Sequence, residues 1–218
     1  MKILCIGYRD WALRIYDKLI ENYHSGDIVI VKSHAEYSDL FVKEYNPDFI
    51  LFYGWSWIIS KEIVNNYKCI TLHPSRLPKY RGGSPIQNQI IRGEVDSAVT
   101  LFLMNNSVDS GPILFQEPIP LTGSISDIFD RIEEIGYKGT MQFLNNPIGG
   151  VEQKHDEATY FKRRIKEQSE ITFEELREKS SIYIYNKIRM LEDPYPNAYI
   201  KTKDGKKIVL KSVEIEDC

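Results

Sequence analysis

Cysteine is scarce in this chain: of 218 residues only Cys5, Cys69 and Cys218 are cysteine, and no two stand at C-x-x-C spacing. That excludes a disulfide framework and a thiolate metal or redox centre of the usual spacing. Cys5 and Cys69 fall in apolar, strand-like segments and are expected as buried free thiols in a reducing compartment. Histidine is nearly as sparse, and His24, His34 and His155 show no ligand-like spacing, so no metal is expected. Long apolar runs are missing as well. The amino terminus, M-K-I-L-C-I-G-Y-R-D, reaches charge at Arg9 after too short a run for a signal peptide, and no other run approaches a membrane span. A cytoplasmic chain with no membrane partner is expected. There is no basic excess either: the formal charge is −3 and the cations are interspersed with acids, which argues against a nucleic-acid partner. Gly7 is not followed by the G-x-G-x-x-G that a dinucleotide pyrophosphate requires.

What is present is an ordinary globular composition, 42% hydrophobic and 27% charged, enough for one substantial core. The first half alternates short β-rich runs with amphipathic stretches: K-I-L-C-I, residues 10–22, I-V-I-V, residues 35–45, F-I-L-F-Y. This pattern predicts β-α-β units on a parallel sheet, an α/β fold. Further strands are expected at 69–72, 98–104 and from Ile113, with a short helix at 85–92 and a long one from about Ser126 to Asn145. The main domain is expected to span 1–150. A polar connector, 151–172, leads to an appendage, 173–218, in which a helix reaching about Leu191 precedes a β-hairpin around K-D-G. A lone hairpin is not an independent domain, so it must dock on the main body or on a second copy, and its open edge points to a homodimer.

The chemistry is concentrated in C-I-T-L-H-P-S-R-L-P-K-Y-R-G-G-S-P-I, residues 69–86, with V-D-S-G following at 108–111. An apolar strand delivers His73, two prolines stiffen the next turn, and Gly82-Gly83 allows close backbone approach to a ligand. Imidazole titrates near neutrality, and a carboxylate such as Asp109 would fix its tautomer and raise its basicity, giving a proton-handling couple.

These segments resemble the folate-dependent formyltransferase family. The resemblance rests on G-Y-R-D-W-A at 7–12, H-P-S-R-L-P-K-Y-R-G at 73–82, V-D-S-G-P-I-L at 108–114, and in the tail A-T-Y-F-K-R-R and I-R-M-L-E-D-P-Y-P-N-A-Y. It implies a Rossmann-like, mostly parallel sheet with flanking helices, binding 10-formyltetrahydrofolate as formyl donor. On the same resemblance His73 would polarise the formyl carbonyl and Asp109 would orient His73 and help carry the proton. The pterin would lie against Trp55, Ser56, Trp57 and Ile59, with Asn105, Asn106 and Val108 beside it. Lys79, Arg81 and Gly82 are candidates for the acceptor and its phosphates, because guanidinium forks suit oxyanions.

One position departs from the family's pattern. Where the family typically has asparagine two residues before the histidine, this chain has Thr71, which offers a single, shorter hydroxyl donor to the formyl oxygen. Among the family's branches, the expected acceptor is a nucleotide-linked amino-deoxy sugar. The purine branch leaves the connector and hairpin unexplained, and the tRNA branch normally continues into a complete β-barrel and carries more positive charge. Formylation of another small amine, including glycinamide ribonucleotide, and a silent folate or nucleotide-sugar binder marked by Thr71 are the alternatives.

Overall fold

In the computed structural model, which describes residues 1–217, the predicted alternation is present from the first residues. β1 (Lys2–Ile6), α1 (Asp10–Asn22), β2 (Asp27–Val31), α2 (Asp39–Tyr45), β3 (Phe49–Phe52), α3 (Lys61–Asn66) and β4 (Cys69–His73) follow in order. Then come β5 (Arg81–Gly82), α4 (Pro85–Ile90), β6 (Asp96–Leu103), β7 (Ile113–Pro120) and α5 (Ile125–Asn145). The six-stranded sheet has the order β2-β1-β3-β4-β6-β7. The β1–β2, β1–β3 and β3–β4 pairs are parallel, whereas β6 is antiparallel to both its neighbours. The expected α/β, mostly parallel sheet is therefore present.

Helices cover both faces, and the strands read accordingly. F-I-L-F in β3 is buried at every position, as a strand covered on two sides must be. α1 turns Trp11, Ala12, Ile15, Tyr16 and Leu19 inward and leaves Asp17 and Glu21 in solvent. At about 1.5–3 kcal/mol for each large apolar side chain buried, that face is what holds the helix on the sheet. α5 starts at a capping box formed by Ser124 and Asp127. It presses Gly136 against β4, where an added Cβ would lie 2.6 Å from Leu72 Cδ1. Along β4 the side chains alternate: Ile70 and Leu72 join the core under α1 and α5, and Cys69 joins the second core on the other face. Thr71 and His73 share the Cys69 side of the strand by the same period of two.

The second half departs from the sequence expectation in two places. The helix predicted to run to about Leu191 is broken into α6 (Phe173–Glu178) and α7 (Ser181–Arg189), after the short strand β8 (Tyr160–Phe161). Lys179 is extended, and the Ser180 side chain accepts from the Tyr183 amide, so a second N-cap ends one helix and starts another. The connector is also structured. Val151 bridges Ile113, and β8 pairs in parallel with β5. The hairpin of β9 (Ala198–Lys201) and β10 (Lys207–Leu210) docks on the main body, since Ile171, Ile188, Met190, Leu191 and Ala198 belong to the same core as β1 and α1. Cys5 and Cys69 are buried free cysteines, and Cys218 lies outside the described residues. No helix among the described residues is long and apolar enough to cross a membrane.

Candidate active site

His73 closes β4 and is 7% exposed. Its Nε2 donates to the Tyr80 carbonyl at 2.8 Å, and its Nδ1 lies 3.5 Å from Asp109 Oδ2. Both neighbours are acceptors. A neutral ring can donate to only one of them, so the couple offers a proton position between Nδ1 and Oδ2. Asp109 reaches this place because its loop doubles back. Leu103 at the end of β6 pairs with Ile70 near the start of β4, so the chain must return along β4 to bring Asp109 to His73. Asp109 therefore follows β6, the strand that runs antiparallel to both its neighbours. Asp109 has φ +47°, a backbone region sparsely used by residues other than glycine, and its Oδ2 accepts the Gly82 amide at 2.8 Å.

Gly82-Gly83 permits a close approach, but by the connector rather than by a ligand. A Cβ on Gly82 would lie 2.3 Å from the Phe161 carbonyl oxygen, and one on Gly83 would lie 2.4 Å from the Arg163 backbone. Two of the anion-binding candidates are placed elsewhere. Arg81 is 1% exposed and engaged by Gln153, the Tyr160 hydroxyl and His155 Nδ1, and it lines neither cavity described below. Lys79 is exposed and also lies outside both. A basic side chain in a loop motif looks the same in sequence whether its guanidinium meets ligand or is sealed in by another segment. Gly82, the third acceptor candidate, lines both cavities. Thr71 does too, but its hydroxyl donates to the Phe52 carbonyl at 2.8 Å, across to β3, so its single proton is committed.

Two cavities of about 380 and 390 Å³ meet at Thr71, Gly82 and Asp109. The second is the more apolar, and Trp55, Ser56, Trp57, Ile59, Asn105, Asn106 and Val108 all line it. Its floor is an aromatic cluster: Trp55 and Trp57 are 4.7 Å apart between ring centroids, and His34 lies 4.7 Å from Trp57. Ser56 Oγ shares a 2.6 Å hydrogen bond with the Tyr8 hydroxyl, and Trp55 Nε1 is buried with no partner among the described residues.

The first cavity is polar, and the residues that define it were not among the site candidates expected from sequence. Arg9, Arg163, Arg164, Gln87 and Tyr195 face it beside His73, and Asp109 is the only carboxylate in its lining. Neither Arg9 nor Arg163 is paired with a carboxylate among the described residues. Arg9 instead lies over the rings of Tyr8 and Tyr195, at 4.9 and 5.9 Å to their centroids. Gln87 is 4% exposed, and its Nε2 meets no partner in good hydrogen-bond geometry among the described residues, although the amide sits near enough to the Tyr195 hydroxyl to bear on its pKa. Burial raises the Tyr195 hydroxyl's pKa, with Gln87, Arg9 and Arg163 pulling the other way, so the phenol stays protonated at neutral pH and can donate. The signal that could have found Arg163 was the F-K-R-R run already singled out; nothing local marks Gln87.

Fold and site together define a Rossmann-like α/β protein in which a buried histidine–carboxylate couple stands where an aromatic cavity opens onto a cationic one. Residues 32–144 match the formyl transferase family, and the chain belongs to it. The methionyl-tRNA formyltransferase of Hydrogenobaculum sp. is 33% identical over 180 residues, covering 78% of this chain and 57% of that protein, so the chain spans little more than half the length of such relatives. The solved methionyl-tRNA formyltransferase from Clostridium thermocellum has a TM-score of 0.85 at 34% identity over 96% of each chain. A sugar N-formyltransferase from a Shewanella species, with a TM-score of 0.78 at 18% identity, covers 100% of this chain and 99% of its own, a likeness of fold.

Proposed function

We propose that this chain transfers the formyl group of 10-formyltetrahydrofolate to the amine of a nucleotide-linked amino-deoxy sugar. The family supports formyl transfer, and the solved structure of HypX from Aquifex aeolicus in complex with tetrahydrofolic acid shares the fold, with a TM-score of 0.77 at 22% identity. The donor supplies an activated formamide carbon. Trp55, Trp57 and Ile59 present apolar surface for its ring system, and Asn105, Asn106 and Val108 flank it. The acceptor amine attacks that carbon, and a C–N bond forms as the bond to the folate nitrogen breaks. The amine gives up one proton and the departing nitrogen takes one up. The His73–Asp109 couple is the group placed to receive the first and return it. His73 is also the candidate donor toward the negative charge developing on the formyl oxygen, because Thr71 has no proton to spare.

The observation that carries the choice of acceptor is the first cavity. Two guanidiniums without carboxylate partners, the buried Gln87 amide and a protonated Tyr195 suit a small amine bearing phosphates. A second reading, transfer to methionyl-tRNA, is favoured by the names of the relatives at 33% and 34% identity. One assay separates them: tetrahydrofolate release with mass detection of product, run against nucleotide-linked amino sugars, glycinamide ribonucleotide and methionyl-tRNA. Formylation of an amino sugar is the expected result. Formylation of the tRNA alone overturns the choice of acceptor, and saturable donor binding with no product from any amine leaves a silent binder.

A further inference from the structure

Gln153 lies in the connector, is 5% exposed and lines neither cavity. Every hydrogen-bonding position of its amide is nevertheless used. Oε1 accepts from Arg81 Nε at 3.1 Å and Nη2 at 2.6 Å, while Nε2 donates to the carbonyls of Asp109 at 3.1 Å and Gly111 at 2.7 Å. The Arg81 fork decides which end of the amide is oxygen, because guanidinium only donates, and so forces the NH2 toward the Asp109 loop. Arg81 is itself locked by the Tyr160 hydroxyl at 2.6 Å and His155 Nδ1 at 3.1 Å. The held segment is the one that needs holding. Asp109 sits at φ +47°, and at Gly111 a Cβ would lie 1.8 Å from the Leu103 carbonyl oxygen. The Gly82 amide and His73 Nδ1 meet Asp109 at Oδ2, and the Gln153 bond is the side-chain contact on its backbone.

We propose that Gln153, oriented by Arg81, is a positioning residue that holds the Asp109 loop so that Oδ2 faces His73. Gln153 is thus part of the catalytic arrangement without touching either substrate. The inference rests on the formyl-transfer reading for its kinetic test.

Gln153→Glu is the discriminating variant. It is nearly isosteric and keeps an acceptor for Arg81, but it removes both donations and turns a carboxylate toward two carbonyls. The expected result is a fall in kcat of about tenfold to a hundredfold, the scale on which misplacement of a reacting group acts, with the donor KM changed less than about twofold. In an Asp109→Asn background the same change should alter kcat less than about twofold, because the group being positioned is already disabled. Wild-type kcat, an equal fold-loss in both backgrounds, or loss of donor binding followed by fluorescence of Trp55 and Trp57 would each overturn the proposal. Arg81→Lys keeps the charge and loses the fork, and should show the same split more weakly; unchanged kcat in that variant also counts against it. If wild type transfers no formyl group, that reading fails while the geometry stays testable by hydrogen exchange. The Gly82 amide, which donates to Asp109 Oδ2, exchanges faster in Gln153→Glu if Gln153 positions the loop and at the wild-type rate if it does not.

Discussion

The two cavities that meet at Asp109 are of nearly equal volume, about 380 and 390 Å³, but they are built in opposite ways. The aromatic one is largely local: two runs, residues 55–59 after β3 and residues 105–108 after β6, supply half of its lining residues. The cationic one is assembled from a distance, with Arg9 before α1, Gln87 in α4, Arg163 in the connector and Tyr195 ahead of β9. A chamber made of contiguous segments can be retained while one made of scattered side chains is rebuilt residue by residue. On the proposed reading the donor is common to the family and the acceptor varies, so specificity would lie in the second kind of chamber.

Removing the couple at the junction of the two chambers should do most damage. His73→Ala or Asp109→Asn is expected to lower kcat by about 10²- to 10⁴-fold, the usual range for a general acid–base group, while donor binding by tryptophan fluorescence persists. Turnover near wild type in either variant would remove the couple from the mechanism.

The chambers should then separate. Arg9→Ala is expected to raise the acceptor KM by about tenfold to a hundredfold, since a charge-assisted hydrogen bond is worth about 1.5–3 kcal/mol, with the donor KM unmoved. Trp57→Ala should do the reverse on a smaller scale, raising the donor KM by about three- to tenfold, because an aromatic contact adds about 0.5–1.5 kcal/mol. Steady-state kinetics with each substrate varied in turn reads both. If each variant moved both KM values together, the chambers would not be functionally distinct.

Much of this was legible in the sequence, and the limit is instructive. The β-α-β alternation and the place of His73 at a strand end follow from local pattern, because each depends on contiguous residues, and the pairing of His73 with Asp109 was suggested by the two motifs that carry them. Arg81 and Arg163 could not be ranked that way. Arg81 is sealed because β5 pairs with β8 some eighty residues later, and the same pairing carries Arg163 to the cavity rim. Long-range strand pairing, not residue type, decided which cation faces solvent. Gln153 shows the same limit, since a glutamine in a polar connector carries no mark of the arginine that orients it. The break between α6 and α7 was locally encoded by Ser180 but was outweighed in the pattern by the apolar residues on either side.

Thr71 tests the comparison where it is finest, at the seam of the two chambers. Its hydroxyl proton goes to the Phe52 carbonyl, so it ties β3 to β4 and contributes no donor to the formyl oxygen. Asparagine there would lose that cross-strand bond and bring an NH2 group to the place where negative charge develops. A single neutral hydrogen bond is worth about 1 kcal/mol net, so Thr71→Asn is expected to raise kcat about fivefold, with both KM values nearly unchanged. Single-turnover measurement of formyl transfer checks it, because product release then drops out of the rate. A fall in the single-turnover rate would mean that the Thr71–Phe52 bond sets the strand spacing on which the His73–Asp109 geometry depends, and the departure at this position would then belong to the scaffold rather than to the chemistry.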